Sequence, residues 1–231
     1  VASGETYEAE EGNPFRTGDE TDINYGLDAK IGITNDLTLD LTVNPDFGQV
    51  EADPSAIALD GFQIFFREQR PSFVENKNIF DFNLSQSQAG NTFGSDNVFY
   101  SWRIGRSTQG FPDTEDGEFV NQPENTQIIG ASKFSGKTKD GWAIGVLESV
   151  TAKKYATIDN NGDRRREVVE PLTNYFVGRL QKDFNDRNSY IGGIFTAVNR
   201  DALSETSAFC IDKPTPADLI LSISGINAIG T

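Results

Sequence analysis

"INYGLDAKIGITNDLTLDLTV", residues 23–43, decides the fold class. Ile23, Tyr25, Leu27, Ala29, Ile31 and Ile33 alternate with Asn24, Gly26, Asp28, Lys30, Gly32 and Thr34. A period of two held over this length predicts a strand, Ile23 to Thr34. Asn35-Asp36 supplies a tight turn. The return strand puts Leu37, Leu39, Leu41 and Val43 on one face and Thr38, Asp40 and Thr42 on the other. The same alternation predicts a strand over Val98–Gly105, with Tyr100, Trp102 and Ile104 opposite Arg103, and a shorter one over Asn78–Leu84. It also predicts hairpins of Gln127–Ser135 with Trp142–Val150, and of Thr173–Asp183 with Ser189–Asn199. The chain reads as all-β and antiparallel.

Alternation fits two architectures. A soluble β-sandwich turns one face of each sheet to a core and the other to water. A membrane barrel turns one face to lipid and the other to a polar lumen. The longest strands approach the roughly 9–11 residues that cross a bilayer. Their polar faces carry charges such as Asp28, Lys30 and Arg103. With Asn78–Leu84 counted as a strand, the connections 35–36, 85–97, 136–141 and 184–188 fall at one end of the sheet. The longer connections 44–77, 106–126 and 151–172 fall at the other, which is the outer-membrane pattern. The expected fold is thus an antiparallel sheet forming part of an incomplete transmembrane β-barrel, with Leu39, Leu41, Trp102 and Ile104 toward lipid. Tyr100, Trp102, Trp142 and Tyr175 are candidates for the interfacial aromatic belt. The sandwich stays open at this point.

Composition narrows the function. The chain has 231 residues, a formal net charge of −15 and no histidine. An acidic surface does not suit nucleic acid. Without histidine there is no Ser-His-Asp or Cys-His catalysis and no His-ligated zinc. The single Cys210 forms no internal disulfide. The first residues, "VASGETYEAEEGNPF", have neither a basic nor an apolar signal region, so an export signal is expected outside this sequence. Asp46, Glu51 and Asp53 suggest a glycosidase pair or calcium ligands, but sequence alone supplies no carboxylate geometry, and they read as solvated loop acids. "DNNGDRRREVVE" (159–170) places glycine at the fourth position, not the sixth, so the EF-hand pattern fails, and Asn161-Gly162 reads as a turn in a long polar loop. No cofactor and no metal are expected.

One segment breaks the alternation: "IFFREQRPSFVEN", residues 64–76. Its aromatics demand burial, and charges taken from water demand partners. It reads as a plug-like loop or helix within 44–77, tucked against the polar side, with the helical turns of 56–70 ended by Pro71. Arg67, Glu68, Arg70, Glu75, Arg103 and Arg106 form the candidate binding cluster, with Asp28 and Glu51 as further partners. The cluster is either a structural anchor or a contact site for a sugar or an anion.

Taken in order, "GLDAKIGITNDLTLDLTVNPDFGQVEADPS", "FFREQRPSFVENKNIFDF", "VFYSWRIGR", "IIGASKFSGKTKDGWAIGVLESVTA", "VVEPLTNYFVGRLQKDF" and "IGGIFTAVNRD" resemble a bacterial outer-membrane β-barrel-like family of unknown function. The resemblance covers roughly residues 22–201. In that family the domain follows a carbohydrate-binding module similar to family nine. Relatives carry proline where Arg67 stands, phenylalanine where Ser72 stands and glycine where Asn76 stands. Arg70-Pro71 and Glu75 are kept. The resemblance implies a non-enzymatic outer-membrane segment linked to carbohydrate or polymer binding or uptake. Its partners would be membrane lipid and the remaining C-terminal strands of a longer barrel. The alternative remains a soluble β-sandwich that binds carbohydrate or hydrolyses glycosides.

The expected organisation is a linker over 1–21, the partial barrel over 22–201 and an unrelated tail over 202–231. The tail departs from the family's continuation and carries Pro214 and Pro216, which disfavour a central strand. Back-translating Phe209–Asn227 with suitable codons and reading from the third base gives LHRQAYTGGLDFKHQWHK, which resembles that continuation. The sequence therefore suggests a frameshift between Ala202 and Phe209, which sequencing of the encoding DNA tests.

Overall fold

The computed structural model describes residues 2–45, 68–82, 97–184, 189–201 and 218–224. Its centre is a seven-stranded antiparallel sheet. β1 (Ala2–Thr6) and β2 (Asp19–Ile23) form a separate hairpin. The main sheet then takes β3 (Leu27–Gly32), β4 (Leu37–Val43), β6 (Ile128–Lys137), β7 (Trp142–Thr151), β10 (Thr173–Phe184), β11 (Ser189–Arg200) and β12 (Asp218–Ser224), side by side in that order. β5 (Phe119–Asn121), β8 (Lys154–Asn160) and β9 (Asp163–Glu170) make a three-stranded sheet within the long connections. Among the described residues the main sheet is open, with β3 and β12 at its edges.

Register fixes the faces. Leu39, Phe134, Val146, Gly178 and Phe195 are cross-strand neighbours on one face. Asp40, Lys133, Leu147, Val177 and Thr196 are neighbours on the other. The first face is apolar yet open: Leu27 is 67% exposed, Leu180 49% and Ile191 50%. The second is covered: Leu147 and Val177 are 2% exposed, and Lys133 only 3%. The open face thus carries exposed large apolar side chains, with the charged Glu148 and Lys182 toward its two ends, while the reverse buries Asp40 and Lys133 among its apolar residues, a departure from an ordinary soluble sheet.

What covers the second face is the segment that broke the alternation. α1 (Pro71–Val74) and α2 (Lys77–Phe80) bury Phe73, Ile79 and Phe80 with Phe82 and Ile104 against Leu147, Val177 and Ile194. The helical turns expected over 56–70 lie, up to residue 67, outside the described residues, and Pro71 stands at the start of α1. At that first-turn position its missing N–H costs nothing. Asn76 then turns the chain at φ 52°, in the left-handed region, into α2. Gly145 permits the contact, because a Cβ there would sit 2.8 Å from Ile79 Cγ2 and 2.9 Å from Phe80 Cζ. Gly145→Val should overpack this seam and cost about 1–3 kcal/mol. A urea midpoint unchanged from wild type would show that α2 does not bear on β7.

Two expected strands are absent. Asn78–Leu84 begins in α2, and Val98–Gly105 contains a 3-10 turn, Ser101–Arg103. Among the described residues neither has a neighbouring strand to supply a ladder, and the apolar side chains Ile79, Phe80, Phe82 and Ile104 join the core on the covered face. Ile104 is fully buried there, not turned to lipid, and Trp102 is half-buried. The expected strand Ile23–Thr34 is broken at Asn24–Gly26. There Asn44 Nδ2 donates to the Tyr25 carbonyl, and a Cβ on Gly26 would lie 2.1 Å from Asn44 O. The expected linker 1–21 carries β1 and the start of β2, and the polar loop 151–172 carries β8 and β9, joined by a turn at Asn161-Gly162 with both residues at positive φ.

The two errors offset each other in the topology. With both strands removed, the turns after β3, β6 and β10 still lie at one end of the sheet. The chain leaves β4, β7 and β11 at the other.

Candidate functional site

The covered face is held by charged groups that the covering segment brings with it. Arg70 donates from Nε to Glu68 Oε1 at 2.7 Å and from Nη2 to Glu68 Oε2 at 2.6 Å, a bidentate pair two residues apart. The Arg70 guanidinium also donates to the carbonyls of Ser101 and Ile104, and the Ser101 hydroxyl donates to Glu68 Oε2. The guanidinium lies 4.4 Å from the centre of the Phe73 ring and 5.8 Å from that of Trp102. The side chains of Arg70 and Glu68 are 6% and 1% exposed. Burial on its own raises a carboxyl, but the hydrogen bonds and charge of Arg70 outweigh it, helped by Ser101, and hold Glu68 below the usual carboxylate range. This network ties the segment 68–82 to the turn 101–104.

A second set ties the segment to the sheet. Lys133 pairs with Asp40 at 3.2 Å across β4 and β6 and donates to the carbonyls of Ser72 and Glu75, the latter at 2.8 Å. Lys30 pairs with Glu75. Asn76 Nδ2 donates to Ser135 Oγ at 3.0 Å. Arg179 donates to the Asp81 carbonyl and lies 5.0 Å from the centre of the Phe82 ring. Basic residues of β3, β6 and β10 thus accept the segment largely through its backbone carbonyls and Glu75.

The six residues expected to cluster are therefore divided. Glu68 and Arg70 are together and buried. Glu75 sits apart, over β3. Arg103 is exposed on the 3-10 turn. Arg106 is half-buried, 4.0 Å from Glu170 and hydrogen-bonded to Gln109. Arg67 lies outside the described residues, as do Asp46, Glu51 and Asp53. Asp28 accepts from Thr42 and has no part in the Arg70 network. Sequence reading missed Lys133 and Arg179. Each is a basic residue on the covered face of a strand with one polar or small cross-strand neighbour, Asp40 for Lys133 and Gly145 for Arg179, a pairing that only the register reveals.

At the opposite end, β8 and β9 carry a separate ion-pair set. Asp159 accepts from Arg164 at 2.8 Å and from the Gly162 amide at 3.0 Å, which together lower its carboxyl. Arg165 donates to Glu118, whose carboxyl is pushed down to about 2. Among the described residues no three His, Cys, Asp or Glu side chains group as metal ligands.

No curated protein and no solved structure matches this chain. The family model described as a domain of unknown function (DUF5916) matches residues 5–209, reaching from β1 past the end of β11. The chain belongs to that family.

Proposed function

We propose that this chain is a non-enzymatic segment of an outer-membrane β-barrel, with its apolar face in lipid and its polar face, carrying the docked segment 68–82, toward the lumen. One observation carries the reading: Leu27, Ile31, Leu41, Val146, Leu180 and Ile191 are exposed on one face, while Asp40 and Lys133 are buried on the other. In water that arrangement is unfavourable, since each of these partly exposed apolar side chains forgoes a share of the roughly 1.5–3 kcal/mol that full burial gives. In a bilayer it is the expected one. β7, β10 and β11, with 10, 12 and 12 residues, suit the thickness of the hydrocarbon core. Long connections gathered at one end and short turns at the other support it further. A sandwich needs a second sheet over the apolar face, and the large side chains there remain exposed among the described residues. Lipid and further strands on the free edge of β3 are the partners this reading requires. A surface role in carbohydrate or polymer binding or uptake follows from the family resemblance.

Flotation tests it. Refolded with phosphatidylcholine vesicles, the protein should rise with the lipid and resist extraction by carbonate. A monodisperse protein that stays in the aqueous fraction without detergent would contradict it.

A further inference from the structure

A cavity of about 400 Å³ opens at the short-turn end of the covered face, between the β3–β4 turn, α2 and β10. It falls within the range of small-molecule sites. Its floor includes Ile79 and Ala143, both nearly buried. Its wall is polar, and the wall groups fall into two sets. Lys137 is engaged by Asp183 at 2.6 Å, Glu75 by Lys30, and Arg179 by the Asp81 carbonyl and Gln181. Asn35, Asp36, Thr38 and Asn78 also line the cavity, and among the described residues their side chains have no partner.

These four side chains offer two carboxamides, a carboxylate and a hydroxyl, so donors and acceptors are both present at short spacing. The charged wall residues are Asp36, Glu75, Lys137 and Arg179, two of each sign. A net-neutral wall gives little attraction to a strongly charged ligand. An apolar floor under a rim of mixed donors and acceptors matches a ring with a C–H face and a hydroxyl edge.

We infer that this cavity binds one ring of a neutral saccharide, with the ring's C–H face on Ile79 and Ala143 and its hydroxyls on Asp36 and Asn78. The inference deepens the carbohydrate part of the proposed function and does not depend on its membrane part. The cavity belongs to the covered face whatever lies on the other side of the sheet.

The test is titration of the whole refolded chain in detergent with maltotetraose, cellotetraose, xylotetraose and, as an acidic counterpart, tetragalacturonate, followed by ligand-observed NMR. At least one neutral tetrasaccharide should bind. Asp36→Ala and Asn78→Ala should each weaken it about tenfold, the loss expected for one or two hydrogen bonds. Lys153→Ala, at the far end of β7, should leave it unchanged. Binding by none of the neutral probes, binding undiminished in both cavity variants, or tighter binding of tetragalacturonate than of every neutral probe would overturn the inference. Flotation of the same protein refolded with vesicles reports on the membrane reading separately, so the two can fail independently.

Discussion

Arg70→Ala should destabilise the protein by about 3–5 kcal/mol, the range for removing one partner of a buried ion pair. Three losses coincide. Glu68, 1% exposed at its side chain, keeps its charge without its bidentate partner. The carbonyls of Ser101 and Ile104 lose the guanidinium donors. Phe73 and Trp102 lose the cation between them. Lys139→Ala, in the exposed β6–β7 turn, should stay within about 0.5 kcal/mol of wild type. Urea unfolding in detergent compares the two, and equal midpoints would mean that segment 68–82 is only an exposed loop. The same pair gives an acid limb. The folded Glu68 carboxyl titrates below its unfolded value. Its contribution is therefore complete above the ordinary carboxylate range and is lost as pH falls through the folded value. Glu68→Gln should flatten that limb.

Val146→Arg should cost about 2–4 kcal/mol when stability is measured in lipid vesicles, the penalty for a cation near the bilayer midplane on the outer face of a barrel. Val146 lies mid-strand in β7 and is 37% exposed. On a soluble sheet an exposed change of this kind stays within about 0.5 kcal/mol. Its neighbour Leu147 faces the other way and is 2% exposed. Leu147→Ala should cost about 2–5 kcal/mol in either setting, so it calibrates folding while Val146→Arg reports the environment. A Val146→Arg protein as stable in vesicles as wild type would remove lipid from that face.

The strands were legible in the sequence wherever alternation met a neighbouring strand of the same kind. β4 was found at its observed bounds, and β6, β7, β10 and β11 to within two residues at each end. Alternation misled where no ladder exists. Tyr100, Trp102 and Ile104 are spaced as on a strand, but Ile104 is buried in the core cluster that also holds Phe73, Ile128 and Leu147. The period of two records apolar demand and not hydrogen bonding. β8 and β9 were missed for the converse reason: "DNNGDRRREVVE" is too polar to signal a buried face, although Asn161-Gly162 marked their turn. The candidate site was half legible. Arg70 and Glu68 were chosen because charges among aromatics must pair, and they pair with each other. Lys133 was overlooked because a lysine in a strand looks solvated, and only the register opposite Asp40 shows otherwise.

The central claim is that the apolar face meets lipid, and the two tryptophans test it most directly because they stand in different settings. Trp142 lies on the apolar face, 39% exposed, beside Lys182 at the short-turn end. Trp102 is half-buried on the covered side, near Arg70. Fluorescence quenching in vesicles of lipid brominated near the headgroup end of the acyl chains should extinguish most of the emission of a Trp102→Phe variant, and iodide should quench it little. The Trp142→Phe variant should respond weakly to the brominated lipid. A Trp102→Phe protein that ignores brominated lipid while iodide quenches it freely would contradict the account.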